Sequence, residues 1–305
     1  MANRLEVNPE YYAVGNGTEF ERFDASRVPL KTVSHVTHLK NAVRVIEDGS
    51  VRADLVFDAS CLNVTRTRVV WLSPNDWTNA GGYRYGNVKF TLDWRSLITG
   101  KKVYWVEAMD YSPHACRLLI TDIEHNELRK FDPQNERGPW LWDATTDEHW
   151  WNGNYCLEVM LESDLLLGSG QQIDFVEHHA NRCCIDHHSC QDKGITQSDA
   201  ASEFLCMLAD RSLTLPGGVF GESARFTIRG VWNLIARCIS RSACRGQSNR
   251  KSLAQARACL AAFGRRDANS KTDFAELVST FQNTDEAIAA TRAVLQGTVG
   301  FELPE

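Results

Sequence analysis

Three groups of residues in this sequence have types and spacings that could do chemistry. The first is His35-Val36-Thr37-His38-Leu39-Lys40-Asn41, followed by a short apolar stretch and Gly49. In an extended strand His35 and Thr37 point to one face and His38 to the other. With Asn41 near the start of a following helix, they offer converging donors and acceptors for a ribose or an amide. The second is Glu158 in residues 155–160 (YCLEVM), where alternation puts it on one strand face with Cys156 and Met160. A lone carboxylate on an apolar face is costly to bury unless something uses it; an exposed face or an edge strand would also accommodate it. Glu162 is the competing carboxylate. The third is residues 178–190, which pack seven potential zinc ligands into thirteen positions. Here His179, Cys183, Cys184, His188 and Cys190 are the candidates for a tetrahedral structural zinc. The spacing matches no common finger or ribbon, and a cluster of partly buried polar residues bracing two parts of the chain is the alternative.

The elements that must position these groups can be read from periodicity and breakers. Residues 32–39 are short and β-branched and predict a strand. Residues 40–47 carry Ala42, Val43, Val45 and Ile46 at helical spacing, and Asp48-Gly49 predicts the stop, with Gly49 in the left-handed cap. Further strands are predicted at 66–72 (RTRVVWL), 87–92 (NVKFTL), 102–106 (KVYWV), 118–121 and 155–160. After about residue 195 the pattern becomes helical, at 199–210, 226–240, 252–263, 272–281 and 285–295, with a loop at 215–222. The expected organisation is α+β: a sheet domain over 1–176, a Cys/His-rich connector over 177–198, and a C-terminal helical domain over 199–305.

Composition narrows the function classes. The chain has 305 residues, 43% of them hydrophobic and 24% charged, the balance of an ordinary globular protein. It has no run of about 18 apolar residues, so no membrane span is expected. The opening MANRLEVNPE has no basic stretch followed by an apolar core, unlike a secretory signal. Ten cysteines scattered through so long a chain are expected to be mostly reduced thiols, and the expected location is the cytoplasm. The net charge of −6 conceals an asymmetry. Residues 225–271 hold eleven Lys or Arg against Asp267 alone, a local charge of +10, leaving −16 on the remainder. A basic segment of this kind faces an anion, and nucleic acid is the expected partner. Pairing with the protein's own acidic half, or with an acidic protein, is the alternative. Four tryptophans within 139–151 (PWLWDATTDEHWW) could stack bases of a single strand, form core, or wall a pocket.

The segment SHVTHLKNAVRVIEDGSVRAD resembles the N-terminal motif of DarT-type ADP-ribosyltransferases, roughly His-x-Thr-His-x-x-Asn followed by an apolar stretch and Gly. Residues 66–75 (RTRVVWLSPN) resemble that family's strand ending in a Ser-Pro turn, and 155–164 (YCLEVMLESD) resemble the late strand presenting its catalytic glutamate. The resemblance spans roughly residues 30 to 175 and does not reach the helical region. It implies an ADP-ribosyltransferase-like split sheet and NAD as substrate. It implies Glu158 as the catalytic carboxylate, with Arg66 or Arg68 holding the diphosphate or steering the acceptor. His35, Thr37, His38, Asn41 and Ser73 would line the NAD pocket; by aromatic character alone, Tyr85 or Tyr83 is expected to stack on nicotinamide. The proline-arginine-serine-proline turn of many relatives is replaced by Ser73-Pro74-Asn75, which bears on the acceptor more than on NAD.

Cleavage of the nicotinamide bond passes through an oxocarbenium-like ribosyl centre, as in glycoside cleavage. A carboxylate can bond the 2′-hydroxyl, offset the developing charge and take the acceptor's proton. Three functions follow as expectations. One is a transferase acting on DNA or RNA, a toxin or anti-phage effector restrained by an antitoxin or other inhibitory partner. The second is a transferase acting on a protein side chain. The third is a zinc-braced nucleic-acid-binding protein without catalysis.

Overall fold

The computed structural model describes residues 27–57, 60–74, 86–106, 115–136, 138–153, 156–168, 171–175, 197–211, 213 and 219–221. Their strands are β1 (Arg27–Pro29), β2 (Thr32–Thr37), β3 (Ser50–Val51), β4 (Asp54–Leu55), β5 (Arg68–Leu72), β6 (Val88–Asp93) and β7 (Lys102–Val106). These continue with β8 (Ala115–Thr121), β9 (Trp140–Asp143), β10 (Glu148–Asn152), β11 (Cys156–Leu161), β12 (Leu165–Leu166), β13 (Gln172–Phe175) and β14 (Val219–Phe220). The helices are α1 (Leu39–Asp48), α2 (Cys61–Val64), α3 (Trp94–Ile98) and α4 (Gln197–Arg211). The class is α+β and rich in sheet. The chain divides into two compact units, neither continuous in sequence. The last crossing between them lies at Leu166–Leu167.

In the first unit (described residues 27–35, 50–57, 60–74, 90–106, 115–136, 138–153 and 156–166) the main sheet has the order β4-β5-β11-β8-β7. β11 runs parallel to β8 and antiparallel to β5, and β7 is antiparallel to β8. Its inner strands are apolar on both faces: Leu118, Leu119 and Ile120 in β8, and Leu157, Val159 and Met160 in β11, are all fully buried. Continuous apolar runs of this kind belong to strands covered on both sides. Val69, Tyr104, Val106, Leu119 and Met160 form one core with Leu62 of α2 and Leu128. A second sheet, β1-β10-β9, folds the tryptophan-rich stretch into a hairpin.

In the second unit (described residues 36–49, 86–89, 167–168, 171–175, 197–211, 213 and 219–221) lie β13, β14, the end of β2 and the start of β6, strands of the order β14-β13-β6-β2. α1 buries Leu39, Ala42, Val43 and Ile46, the i, i+3, i+4, i+7 stripe of an amphipathic helix. Gly49 takes φ 67° as its left-handed cap, and its N–H donates to Ile46 O, as its type predicts. α4 packs Phe204 edge-on against Phe175 of β13, with ring centroids 5.7 Å apart.

The structure moves several expected boundaries. The strand expected at 66–72 begins at Arg68; Arg66 sits before it at φ 56°, so Arg66 and Arg68 do not share a strand face. β8 starts three residues earlier than expected, at Ala115. The loop expected at 215–222 contains β14. The helical segments expected at 226–240 and beyond, the basic run 225–271 and residues 177–196 of the Cys/His connector lie outside the described residues, and Gln197 and Ser198 open α4. Cys61, Cys116 and Cys206 are buried. Among the described residues no helix is long and apolar enough to cross a membrane.

Gly86 shows how closely the chain around α1 is built. It has φ 148°, and a Cβ there would lie 2.0 Å from Thr37 C and 2.1 Å from Thr37 O. Beside it, Asn87 N donates to Thr37 O at 3.1 Å and Asn87 Oδ1 accepts from Leu39 N at 3.2 Å. Gly86→Ala is expected to cost roughly 3 kcal/mol or more through backbone overlap, read as a fall in Tm and in the urea midpoint, whereas Gly100→Ala, with φ 73° and no neighbour near its Cβ, costs about 1 kcal/mol.

Candidate active site

Charge in the interior of the main sheet concentrates at one place. Glu158 of β11 lies beside Arg117 of β8 in the parallel register. Arg117 Nε donates to Glu158 Oε2 at 2.5 Å, with the residues 3% and 4% exposed. Met160 stands opposite Trp71, so Glu158, two residues along, shares the Trp71 face of the sheet. The Arg117 guanidinium lies 5.0 Å from the centre of the Trp71 ring, within cation–π range.

His35 joins this group through the other side of Trp71. Its Nδ1 is 2.9 Å from Trp71 O. Burial pulls its pKa below the ordinary value, and the carbonyl bond opposes this only in part. At neutral pH the ring is therefore uncharged. A carbonyl can only accept, so the proton sits on Nδ1 and Nε2 keeps its lone pair. One residue earlier, Ser34 forms an isolated bridge with Ser73: Ser34 N donates to Ser73 O at 2.8 Å, and Ser73 N to Ser34 O at 3.0 Å. The Ser73 hydroxyl donates to Leu157 O at 2.7 Å. The C-terminal end of β5 thus ties the start of β2 to the residue next to Glu158.

Of the sequence-predicted residues, His35, Ser73 and Glu158 fall in one connected group. Ser73 is fully buried, with its hydroxyl spent on the strand junction. Thr37 is buried, and its carbonyl holds Asn87 N. His38 is the N-cap residue of α1 without a side-chain cap bond. Asn41 is exposed on α1. Arg68 is exposed and lies on the β5 face away from Trp71, about 16 Å of extended strand from Ser73. Arg66 is exposed in its left-handed turn. The arginine beside Glu158 is Arg117. Tyr83, Tyr85 and all five proposed zinc ligands lie outside the described residues. Among the described residues no group of His, Cys, Asp and Glu is arranged to hold a metal.

Arg117 escaped the sequence reading, although the signal was the one that singled out Glu158: a lone charge in an apolar strand, ACRLLIT. Glu162 is distinguished from Glu158 by its own partner. His125, 8% exposed, sits between two carboxylates, with Nε2 2.6 Å from Glu162 Oε2 and Nδ1 3.0 Å from Glu127 Oε1. Its backbone N–H donates to the Tyr104 hydroxyl at 3.2 Å. No family model, curated protein or solved structure matches the chain.

Each of these pairs can be tested by substitution. Arg117→Met leaves a buried carboxylate uncompensated and is expected to cost roughly 3–5 kcal/mol in urea unfolding, while adding Glu158→Leu recovers most of that loss. For His125, burial acts to lower the pKa, but the bonds and charges of Glu127 and Glu162 together outweigh it and raise the value above 6.5. A raised folded-state pKa stabilises fully below the unfolded value and is lost as pH rises through the folded one. The Tm difference between the native chain and His125→Gln is therefore expected to be largest near about pH 6 and to shrink by about pH 9.

Proposed function

We propose that the chain transfers ADP-ribose from NAD to a base of a nucleic acid, with Glu158 as the catalytic carboxylate. The observation that carries this reading is the junction at Ser73. It links the strand bearing His35, the strand ending in Ser73-Pro74 and the strand bearing Glu158, which are the three segments whose residues suggested NAD chemistry. In this reading Glu158 accepts the ribose 2′-hydroxyl through Oε1 and offsets positive charge at the ribosyl carbon. The bond to nicotinamide breaks with its electron pair leaving on nicotinamide. The acceptor nitrogen bonds to the same carbon, and its proton passes to the Glu158 carboxylate.

Arg117 acts through Glu158 as a positioning residue, holding Oε2 so that Oε1 keeps one orientation. His35 Nε2 supplies a neutral acceptor for a ribose hydroxyl or the nicotinamide amide. The closed surroundings of the pair favour this chemistry, because charge is screened least where water is excluded. The acceptor is assigned from the +10 charge over 225–271, which would hold the phosphate backbone.

Incubating the purified chain with labelled NAD and, separately, DNA, RNA and protein lysate tests the assignment. Label is expected on nucleic acid, and Glu158→Gln should lower the rate by a hundredfold or more, an effect of about the size expected for one such group; because it leaves Arg117 buried without its counter-charge and lowers the Tm, the rate is read at a temperature where circular dichroism shows the variant folded. Label on protein alone would move the acceptor to a side chain. Undiminished transfer by Glu158→Gln would remove Glu158 from the reaction.

A further inference from the structure

We infer that a cleft beside the β9–β10 hairpin, within the first unit, is a binding site for a nucleobase carrying a phosphate. The cleft has a volume of about 660 Å³ and is walled by the hairpin, α3, the start of β7 and residues 130–133. That volume lies within the range of small-molecule sites and exceeds what one nucleotide needs. The inference rests on the nucleic-acid half of the preceding reading, and the cleft is lined by residues other than Arg117, Glu158, Trp71 and His35.

An aromatic platform supplies the base contact. Trp142 and His149 stand opposite each other across the hairpin and stack at 5.3 Å and 16°. His149 also stacks with Trp140 at 5.7 Å and 27°. Trp140 and His149 are buried, whereas Trp142 is half-buried and lines the cleft, so it forms the open end of the stack. Its orientation is held by Nε1 donating to Asp147 Oδ1 at 3.1 Å, and Asp147 is held in turn by Arg95 at 3.1 Å. Trp140 Nε1 donates to His149 Nδ1 at 3.1 Å, which requires that nitrogen to be unprotonated. The platform is thus a preorganised, uncharged π surface, and such surfaces take bases of any sequence.

The phosphate is held at the rim. Arg95, Lys101, Lys102 and Lys130 line the cleft, against Asp132 and Asp147. The exposed Asp132 carboxylate accepts from Gln134 N at 3.0 Å and from Asn135 Nδ2 at 2.7 Å. The lysines meet two acids outside the lining: Lys101 pairs with Asp122 at 2.5 Å, and Lys102 and Lys130 share Glu124 at 3.1 and 2.6 Å. Exposed pairs of this kind contribute little. One carboxylate divided between two ammonium groups leaves donors for a phosphate, which would bind them by charge-assisted hydrogen bonds. Cations beside a half-exposed indole thus match a base and its phosphate together, which a peptide carboxylate would satisfy only in part.

The test is fluorescence anisotropy of a short dye-labelled oligothymidine with the full chain and no NAD. Trp142→Ala is expected to weaken binding about tenfold, the size of one base stack. Lys102→Glu with Lys130→Glu, both surface changes, should lower the slope of log affinity against log salt by about 0.7 for each phosphate that the variant no longer holds. Should Trp142→Ala fail to fold by circular dichroism, an abasic oligonucleotide of equal length replaces it and should bind about tenfold more weakly. Competition by thymidine monophosphate at similar affinity assigns the site to free nucleotides; competition only by oligomers assigns it to single strands. Unchanged affinity and salt slope in the variants, or equal competition by polyglutamate, overturns the inference. Binding intact without any ADP-ribosyl transfer retains the site and rejects the transferase.

Discussion

A guanidinium and a carboxylate closed between the two inner strands of the main sheet, among buried apolar side chains, constrain everything around them. Neither Arg117 nor Glu158 could be buried alone, because an unpaired ion in such surroundings costs several kcal/mol. Their registers on β8 and β11 are therefore coupled. A slip of one residue would turn either group to the opposite face and leave both uncompensated. Trp71 closes the group from the β5 side, with its ring toward the guanidinium and its carbonyl holding His35. One pair thus sets the relative positions of three strands, and through the Trp71 carbonyl it reaches the start of a fourth.

The hairpin built from the tryptophan-rich stretch follows a different logic. Its order comes from rings and short polar bonds rather than from a covered sheet. Trp94 meets Trp140 edge-on at 4.9 Å and Trp105 meets Phe131 at 4.8 Å, so the inner side of the hairpin is fixed by aromatic contact. On the strand face away from Trp140 and Trp142, Arg27 lies 4.0 Å over the Trp150 ring. The tryptophans are therefore divided between core, a cation–π contact and the half-open position of Trp142. A count of aromatics could not have made that division.

What was legible in the sequence was local. The strand KVYWV was located to the residue, and α1 was recovered with its glycine stop, because both carry their reason in side-chain type and period. β8 was read short because Arg117 looks like a solvent residue until its partner, forty-one positions away in the chain, is known. Arg66 was drawn into a strand by its β-branched neighbours, although it occupies the left-handed region. β3, β4, β12 and β14 have two residues each, too few for any period to appear. Asn87 was unremarkable in sequence; its cap on Leu39 exists only because the chain returns there. In the proposed site, Glu158 and His35 stand out by residue type, whereas Arg117 beside Glu158 appears only with the register.

The parallel pairing of β8 and β11 has a consequence for how the chain reaches this state. Everything between those two strands in sequence, including the β9–β10 hairpin, must be looped out before Arg117 and Glu158 can meet. A hairpin of neighbouring strands closes on the microsecond scale, whereas distant parallel pairings pay their loop entropy before any contact repays it. The stacked rings therefore assemble early and the charged pair late. Until that step both strands expose apolar faces and bare edges, the features that promote intermolecular pairing. The residues on which the proposed chemistry depends come together in the step at which a nascent chain is most exposed to aggregation.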